Sequence, residues 1–564
     1  MNSSSHPGDV AVLGAIGCAV AVGLLLWLWG GVAGVLFGSG WPHVSAAQLP
    51  SVLIRLPTRL GDPGAAWPAL ARTHLPGAVG CYLALALLGA AALAVSIVAG
   101  RARPLAAGNP GARWAGPRDL RKLRDGPRLA ARRVHAGRLT LGRHHGRLLH
   151  AEQRHALVAF GPPQSGKSAG LAVPALLEWH GPAVASSIKT DLLDATLRRR
   201  RSFGDVFVFD PFELSAAASQ TWSPLHAART WDGALEVAWR LASAGEVDQR
   251  GVEGGDFWGI AAEQRLAPLL YAAAGTGRHI GDVVRWAYGQ GARELDHALN
   301  ELAGNAHGEL ELNDAHAAYD AVRAFETQAD RTRTSIEATV QTLLRAYRFA
   351  RVLRSARSSE ITADRLLDGD CTLYLIGDAK ASKLLRPIFL ALLSEVVDRA
   401  YERATRSGGR LGRPLLLCLD EAGNVAPLPN LAEIASTAPS HNIQLISIFH
   451  DLAQARSRYA GQAETVVNSH RARMLLPGVA DLDTLRYFSG LVGDQEAPDQ
   501  SRTTGAGGAS RSFSRRRQPL IAPEELRQLP DRHALLLYGR LAPARIRLRL
   551  WFEDRRLKRL GGPA

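Results

Sequence analysis

Eight consecutive residues, Gly161-Pro162-Pro163-Gln164-Ser165-Gly166-Lys167-Ser168, constrain the fold of this chain more than any other stretch. They follow G-x-x-x-x-G-K-[ST], a loop that wraps its backbone N–H groups around nucleotide phosphates. Gly161 and Gly166 let the backbone come close to the anion, Gln164 and Ser165 complete the cradle, and the start of the next helix adds partial positive charge. Lys167 is expected to reach the outer phosphates and Ser168 to ligate Mg²⁺. Of 67 basic residues only six are lysine (122, 167, 189, 380, 383 and 558), so a lysine here is a requirement rather than a habit of composition. The planar fork of arginine is too wide for the loop.

Such a loop needs a buried strand before it and a helix after it. Ala156 to Phe160 is a short apolar run suited to the strand, and Ala169 to Trp179 can form the helix, with Pro174 expected to kink it or end it early. A second acidic element is also needed. Leu415 to Leu419 is an apolar strand ending in Asp420-Glu421. Alone, this pair would read as a solvated acidic turn; beside the phosphate loop, Asp420 is expected in the Mg²⁺ shell and Glu421 as the base that orients and deprotonates the attacking water. Ser447-Ile448-Phe449 leads to His450, a candidate γ-phosphate sensor.

Two stretches without charge, about residues 10–38 and 76–100, each exceed the roughly 20 residues that span a bilayer. Residues 1–100 therefore read as a membrane anchor of two transmembrane helices with a loop at 39–75. A cleaved signal peptide fits the first stretch less well, because its apolar core is too long and no Lys or Arg precedes it. Gly30 and Gly34 suggest a small-residue packing face on that helix. Residues 101–150 follow as a basic juxtamembrane segment carrying 13 Lys+Arg against Asp119 and Asp125, an excess of 13 − 2 = +11 within a chain of net charge +15. This bias places the large C-terminal part and the N-terminus in the cytoplasm and the 39–75 loop outside. The four cysteines and 18 histidines lack metal-ligand spacing, and no zinc site is expected.

About 250 residues separate the phosphate loop from Asp420, more than a minimal core requires. Strand character appears at 183–187 and 206–209, disappears, and returns at 372–376. Between them Leu266, Leu269, Leu270 and Ala273 share a helical face, and residues 315–351 contain no Pro or Gly. The expected fold is α/β: a P-loop NTPase core of the RecA-like type, residues 151–226 and 369–564, interrupted by an inserted all-α domain at 227–368. Residues 493–518, rich in Gly, Ser, Arg and Thr, read as a flexible loop, and 545–551 as an edge strand with exposed arginines.

With these elements in this order, the chain resembles the type IV coupling proteins, the membrane-anchored ATPases of conjugative DNA transfer and type IV secretion. The resemblance covers nearly the whole length. Its further marks are Ala112-Arg113-Trp114-Ala115, Trp222-Ser223-Pro224-Leu225, Leu419 to Gly423 followed by Leu428-Pro429, Asp451 to Gln454 leading to Arg458-Tyr459, and Pro523 to Leu526. The resemblance implies ATP and Mg²⁺ as cofactors, a hexameric ring in the cytoplasmic membrane with ATP between subunits, and transfer of single-stranded DNA with its relaxase, or of a protein substrate, to the secretion channel. His450 stands where the family usually has glutamine, Pro439-Ser440-His441 where many members carry an arginine acting on a neighbour's γ-phosphate, and Trp222-Ser223 where Trp-Asn is commoner. Arg456, Arg471 and Arg473 are candidates for the missing arginine. Two rival readings remain: a nucleotide-binding substrate receptor with little hydrolysis, suggested by His450 and Pro439, and a double-stranded DNA translocase, against which the all-α insertion argues. The two spans exclude a soluble metabolic kinase.

Overall fold

The computed structural model describes residues 7–101, 111–124, 137–249, 255–505 and 508–562. It falls into two compact units, Met1–Asn109 and Pro110–Ala564. In the first, the helices Pro7–Phe37 and Ala78–Arg101 are each long and apolar enough to cross a bilayer. The segment between them is folded, with short helices at Leu49–Arg55 and Ala69–Arg72. Val52, Ala66, Trp67 and Ala71 from this segment bury against Trp29 and Ala33 of the first helix. Gly30 and Gly34 do not serve as a helix–helix face. A Cβ on Gly30 would stand 2.8 Å from the Trp67 indole nitrogen, and one on Gly34 would meet the carbonyl of Gly40, so both glycines admit the connecting segment instead.

The second unit is built on an eleven-stranded sheet. Its strands are β1 (Thr140–His144), β2 (Arg147–His150), β3 (Leu157–Phe160), β4 (Ala183–Ser187), β5 (Val206–Phe209), β6 (Thr372–Ile376), β7 (Leu415–Leu419), β8 (Ile443–Phe449), β9 (Ala472–Leu475), β12 (His533–Tyr538) and β13 (Ala544–Arg547). The order is β2-β1-β13-β12-β9-β3-β8-β7-β4-β6-β5, parallel from β9 to β5 and antiparallel from β9 to β2. The parallel strands read as continuous apolar runs because both faces are covered. Alternate residues feed two separate cores: Val158 and Phe160 of β3 join one, Leu157 and Ala159 the other.

Between β5 and β6 every described element is helical, from Trp231 to Leu367. Leu266, Leu269, Leu270 and Ala273 are fully buried on the helix Gly255–Gly275, as their spacing predicts. Two expectations are corrected. Residues 493–518 are not an unpaired loop: β10 (Asp494–Gly505) and β11 (Gly508–Pro519) form a separate antiparallel ribbon in unbroken register from Asp494↔Pro519 to Gly505↔Gly508. The ladder satisfies the backbone without an apolar face, so no alternation of hydrophobic residues announced it. Nor is β13 an edge strand, since it lies between β1 and β12; its alternation of buried and exposed residues reports one covered face and says nothing of its neighbours.

Two buried polar groups tie the layers together. The Arg200 guanidinium, fully buried, donates to the carbonyls of Trp179 (2.6 Å), Gly181 (2.8 Å) and Asp370 (3.2 Å) and to Thr372 Oγ1 (2.6 Å). Burial lowers its pKa to about 10, still far above neutrality. Arg200→Met removes these donors and leaves buried carbonyls unmet, and is expected to cost at least about 3 kcal/mol in a thermal or denaturant unfolding measurement.

His470, also fully buried, donates from Nδ1 to the Val466 carbonyl (2.7 Å) and accepts at Nε2 from Ser447 Oγ (3.0 Å). Burial depresses its pKa from 6.5 to about 4. With the folded value below the unfolded one, its stabilisation is whole above pH 6.5 and is lost as pH falls toward 4, a difference of about 3 kcal/mol. His470→Gln should flatten the thermal midpoint against wild type across that window. Equal slopes for the two proteins would refute it.

Candidate active site

In the parallel half of the sheet β8 lies between β3 and β7, so all three carboxyl ends open on one edge, where α/β sheets place ligands. The end of β3 delivers the Gly161–Ser168 loop, the end of β7 Asp420-Glu421, and the end of β8 His450 between them. The loop takes its turn through Gln164 (φ +68°) and Gly166 (φ +87°). A Cβ on Gly166 would make only ordinary contact with Leu550 at 3.4 Å, so it is the backbone angle that favours glycine there. The helix after the loop opens with a π-type turn, Ser168–Ala172, and becomes α-helical at Val173–Glu178. Pro174 sits near the start of the α-helical part, where its missing N–H does least harm, and the helix is correspondingly short.

Lys167 Nζ donates to the Gly161 carbonyl at 3.1 Å and pairs with Glu421 Oε1 at 3.0 Å. Ser168 Oγ donates to Asp420 Oδ2 at 2.6 Å. His450 Nε2 lies 2.7 and 2.8 Å from the two Glu421 oxygens, and Asn424 Nδ2 donates to Oε2 at 3.0 Å. The structure thus brings together Lys167, Ser168, Asp420, Glu421 and His450. It directs His450 at the carboxylate of Glu421. Asn424 was not singled out from sequence, although its position three residues after Glu421 in a turn is the available signal. Gln454 closes one of the stretches that mark the resemblance, without a role assigned to it there; its Oε1 accepts the His450 backbone N–H at 2.8 Å and so fixes the end of β8.

The pKa values of the two carboxylates are moved in opposite directions. Asp420 is 4% exposed, and burial, reinforced by the neighbouring Glu421 charge, pushes its pKa up to about 6 against the hydrogen bond from Ser168. Burial also pushes Glu421 upward, but the hydrogen bond from His450 and the Lys167 ammonium outweigh it and hold the carboxyl at about 2. Glu421 is therefore an anion, kept at φ +65° in a conformation costly for any residue but glycine.

Beside the loop opens a cavity of about 540 Å³, walled by Pro162, Gly478, Arg527, Arg532 and Leu550 among others. Pro162 belongs to the loop itself; Gly478, Arg527, Arg532 and Leu550 come from segments more than 300 residues downstream, which local sequence gives no reason to place here. Arg456, Arg471 and Arg473 are all occupied within the chain: Arg456 pairs with Glu464 and Asp483, Arg471 approaches Glu152 at 3.6 Å, and Arg473 donates to the carbonyls of Val467 and Asn468.

A phosphate loop at the carboxyl end of β3, within the parallel part of the sheet, with an Asp-Glu pair at the end of a strand two positions away, defines a P-loop NTPase fold. Residues 118–563 match the family model for type IV secretory system conjugative DNA transfer. The chain belongs to that family, the type IV coupling proteins. It is similar to the conjugal transfer protein TraG of Escherichia coli, 24% identical over 407 residues, covering 68% of this chain and 63% of that protein. It is also similar to VirD4 of Agrobacterium fabrum, 24% identical over 426 residues, covering 73% and 61%. The chain thus spans a little under two thirds of the length of the curated relatives it matches. Among solved structures, the conjugative coupling protein TrwBΔN70 in complex with sulphate superposes with a TM-score of 0.57 at 18% identity, over 79% of this chain and 96% of that one. TrwB in complex with ADP and Mg²⁺ gives 0.57 at 18% identity, over 78% and 94%.

Proposed function

We propose that this chain is a membrane-anchored ATPase that couples ATP hydrolysis to the passage of single-stranded DNA, linked to its relaxase, or of a protein substrate into a type IV secretion channel. The meeting of Lys167, Ser168, Asp420 and Glu421 at one edge of the sheet carries this reading. The residues present fit a nucleotide with Mg²⁺, the pair seen in TrwB. Asp420 Oδ1 is buried without a hydrogen-bond partner while Oδ2 holds the Ser168 hydroxyl, so two hard oxygens converge on a place suited to a divalent cation. Ser165 Oγ is likewise buried without a partner inside the loop. When bound, Mg²⁺ neutralises charge on the outer phosphates.

The chain's own groups then have distinct tasks. Lys167 binds phosphate, and in doing so releases the Glu421 carboxylate, which takes a proton from water. The Nε2–H of His450 and the amide of Asn424 keep that carboxylate oriented. The domain division at 227–368, the cytoplasmic N-terminus and main part, the outward 39–75 segment and a hexameric ring with ATP between subunits belong to the same proposal. Since Arg456, Arg471 and Arg473 already have partners, any of them acting on a neighbour's nucleotide must first break those contacts.

The test is ATP turnover by the full chain in neutral detergent, alone and with single- or double-stranded DNA of equal length. Hydrolysis stimulated more by single strands supports the motor. Nucleotide binding with no turnover under any of these conditions would favour the substrate-receptor reading, and preference for double strands the translocase.

A further inference from the structure

On the antiparallel side of the sheet lies a second cavity, of about 510 Å³, lined by Arg143, His144, His145, His533, Arg545 and Arg547, with Trp114 as one wall and no carboxylate in its lining. Strand register produces this concentration of charge. Arg143 of β1 stands opposite Arg547 of β13, and Arg547 opposite His533 of β12. Like charges directly across a ladder destabilise it, so this row costs stability unless an anion joins it. Arg143 has one counter-ion, Asp554 at 3.2 Å, which it shares with Arg549. Arg545 and Arg547 have no carboxylate partner among the described residues. The Arg545 guanidinium lies 4.3 Å from the centre of the Trp114 ring, a contact that holds the cation in place without neutralising it.

Behind these side chains two polar groups are left unmet. His144 is 5% exposed, and its Nδ1 has no hydrogen-bond partner; Nε and Nη2 of Arg124 are also buried without one. Burial lowers the pKa of His144, and the charges of His145 and Arg124 lower it further, as expected in a pocket of uncompensated positive charge. Buried polar atoms without partners are uncommon enough to need an explanation, and an anion in the cavity favours the protonated His144 ring, whose second N–H then has an acceptor.

We propose that this cavity binds a phosphate group, carried either by the headgroup of an anionic phospholipid or by a soluble phosphate ester, at a site separate from the Gly161–Ser168 loop. Arginine forks match phosphate oxygens in pairs, and the cavity is large enough for a phosphate with its headgroup. The lipid source gains from covalent connection: Trp114 follows Arg101, the last residue of the second apolar helix, by 13 residues, a span of at most about 45 Å.

The test uses the full chain carrying Lys167→Ala, which removes the principal cation of the phosphate loop. Glycerol 3-phosphate and inorganic phosphate are titrated calorimetrically in neutral detergent, and thermal midpoints are compared in phosphatidylcholine nanodiscs with and without phosphatidylglycerol. Saturable binding of glycerol 3-phosphate is expected, weakened at least about tenfold by Arg545→Gln with Arg547→Gln. A midpoint raised by phosphatidylglycerol and lost in the double variant identifies lipid as the source; a response to the soluble ester alone identifies a free phosphate ester. Without ligand the double variant should melt no lower than its parent, since it relieves repulsion. If it fails to fold, the exposed Arg545→Gln alone serves. The proposal falls if no saturable phosphate binding appears in the Lys167→Ala protein, or if binding ignores both arginines. It falls equally if the double variant loses only affinity for DNA, which would make this face a nucleic-acid contact.

Discussion

Lys167→Ala is expected to abolish detectable nucleotide binding and to lower ATP turnover by at least about 10³-fold, since positioning and charge stabilisation are nearly all a protein contributes to phosphoryl transfer. Lys167 is 7% exposed, and its ammonium is held between the Gly161 carbonyl and Glu421 Oε1. Its removal has a second effect: the carboxylate of Glu421, a residue only 5% exposed, keeps His450 and Asn424 but loses the Lys167 charge. Breaking a buried pair from one side costs about 3–5 kcal/mol, so the nucleotide-free variant should also melt lower than wild type. Lys167→Arg should fail at nucleotide binding as well, because the loop admits a point charge and excludes a planar fork. Fluorescent-nucleotide titration in the presence of Mg²⁺ together with steady-state turnover checks both substitutions. Turnover within tenfold of wild type in Lys167→Ala would remove this loop from the chemistry.

What could be read before the structure divides along physical lines. The parallel strands were legible because burial on both faces makes them continuous apolar runs, and the phosphate loop because its chemistry demands residue types at fixed spacing. Asp420 and Glu421 followed from the same logic, one strand end supplying what the loop lacks. Strand neighbours were not legible. β13 pairs with β1, some 400 residues earlier, and local periodicity carries no trace of that partner. For the same reason Leu548 and Leu550, packed beside Gly166 and Gly170, gave no sign of proximity to the loop. The 494–519 ribbon escaped because its pairing is nearly all backbone. His450 shows the limit within the site itself: a polar group at the end of β8 was expected, but whether it faces phosphate or the Glu421 carboxylate depends on where β7 lies, which only the strand order reveals.

Glu421→Gln should separate binding from chemistry in the opposite sense to Lys167→Ala. In the nucleotide-free protein Glu421 competes for Lys167, and its pKa of about 2 measures how firmly His450 and Lys167 together stabilise the anion. Glutamine keeps the length and the planar end but has one acceptor oxygen where three donors converge, from Lys167, His450 and Asn424. Its NH₂ must therefore face at least one of them, and the ion pair to Lys167 is gone. The lysine is left free for phosphate, so nucleotide affinity should hold or rise by a few-fold. Turnover, deprived of a group able to take a proton from water, should fall about 10²–10⁴-fold. The two measurements are the same titration and steady-state assay as for Lys167. Loss of affinity in Glu421→Gln would show that the carboxylate helps to build the loop, and turnover close to wild type would show that the proton leaves by another route.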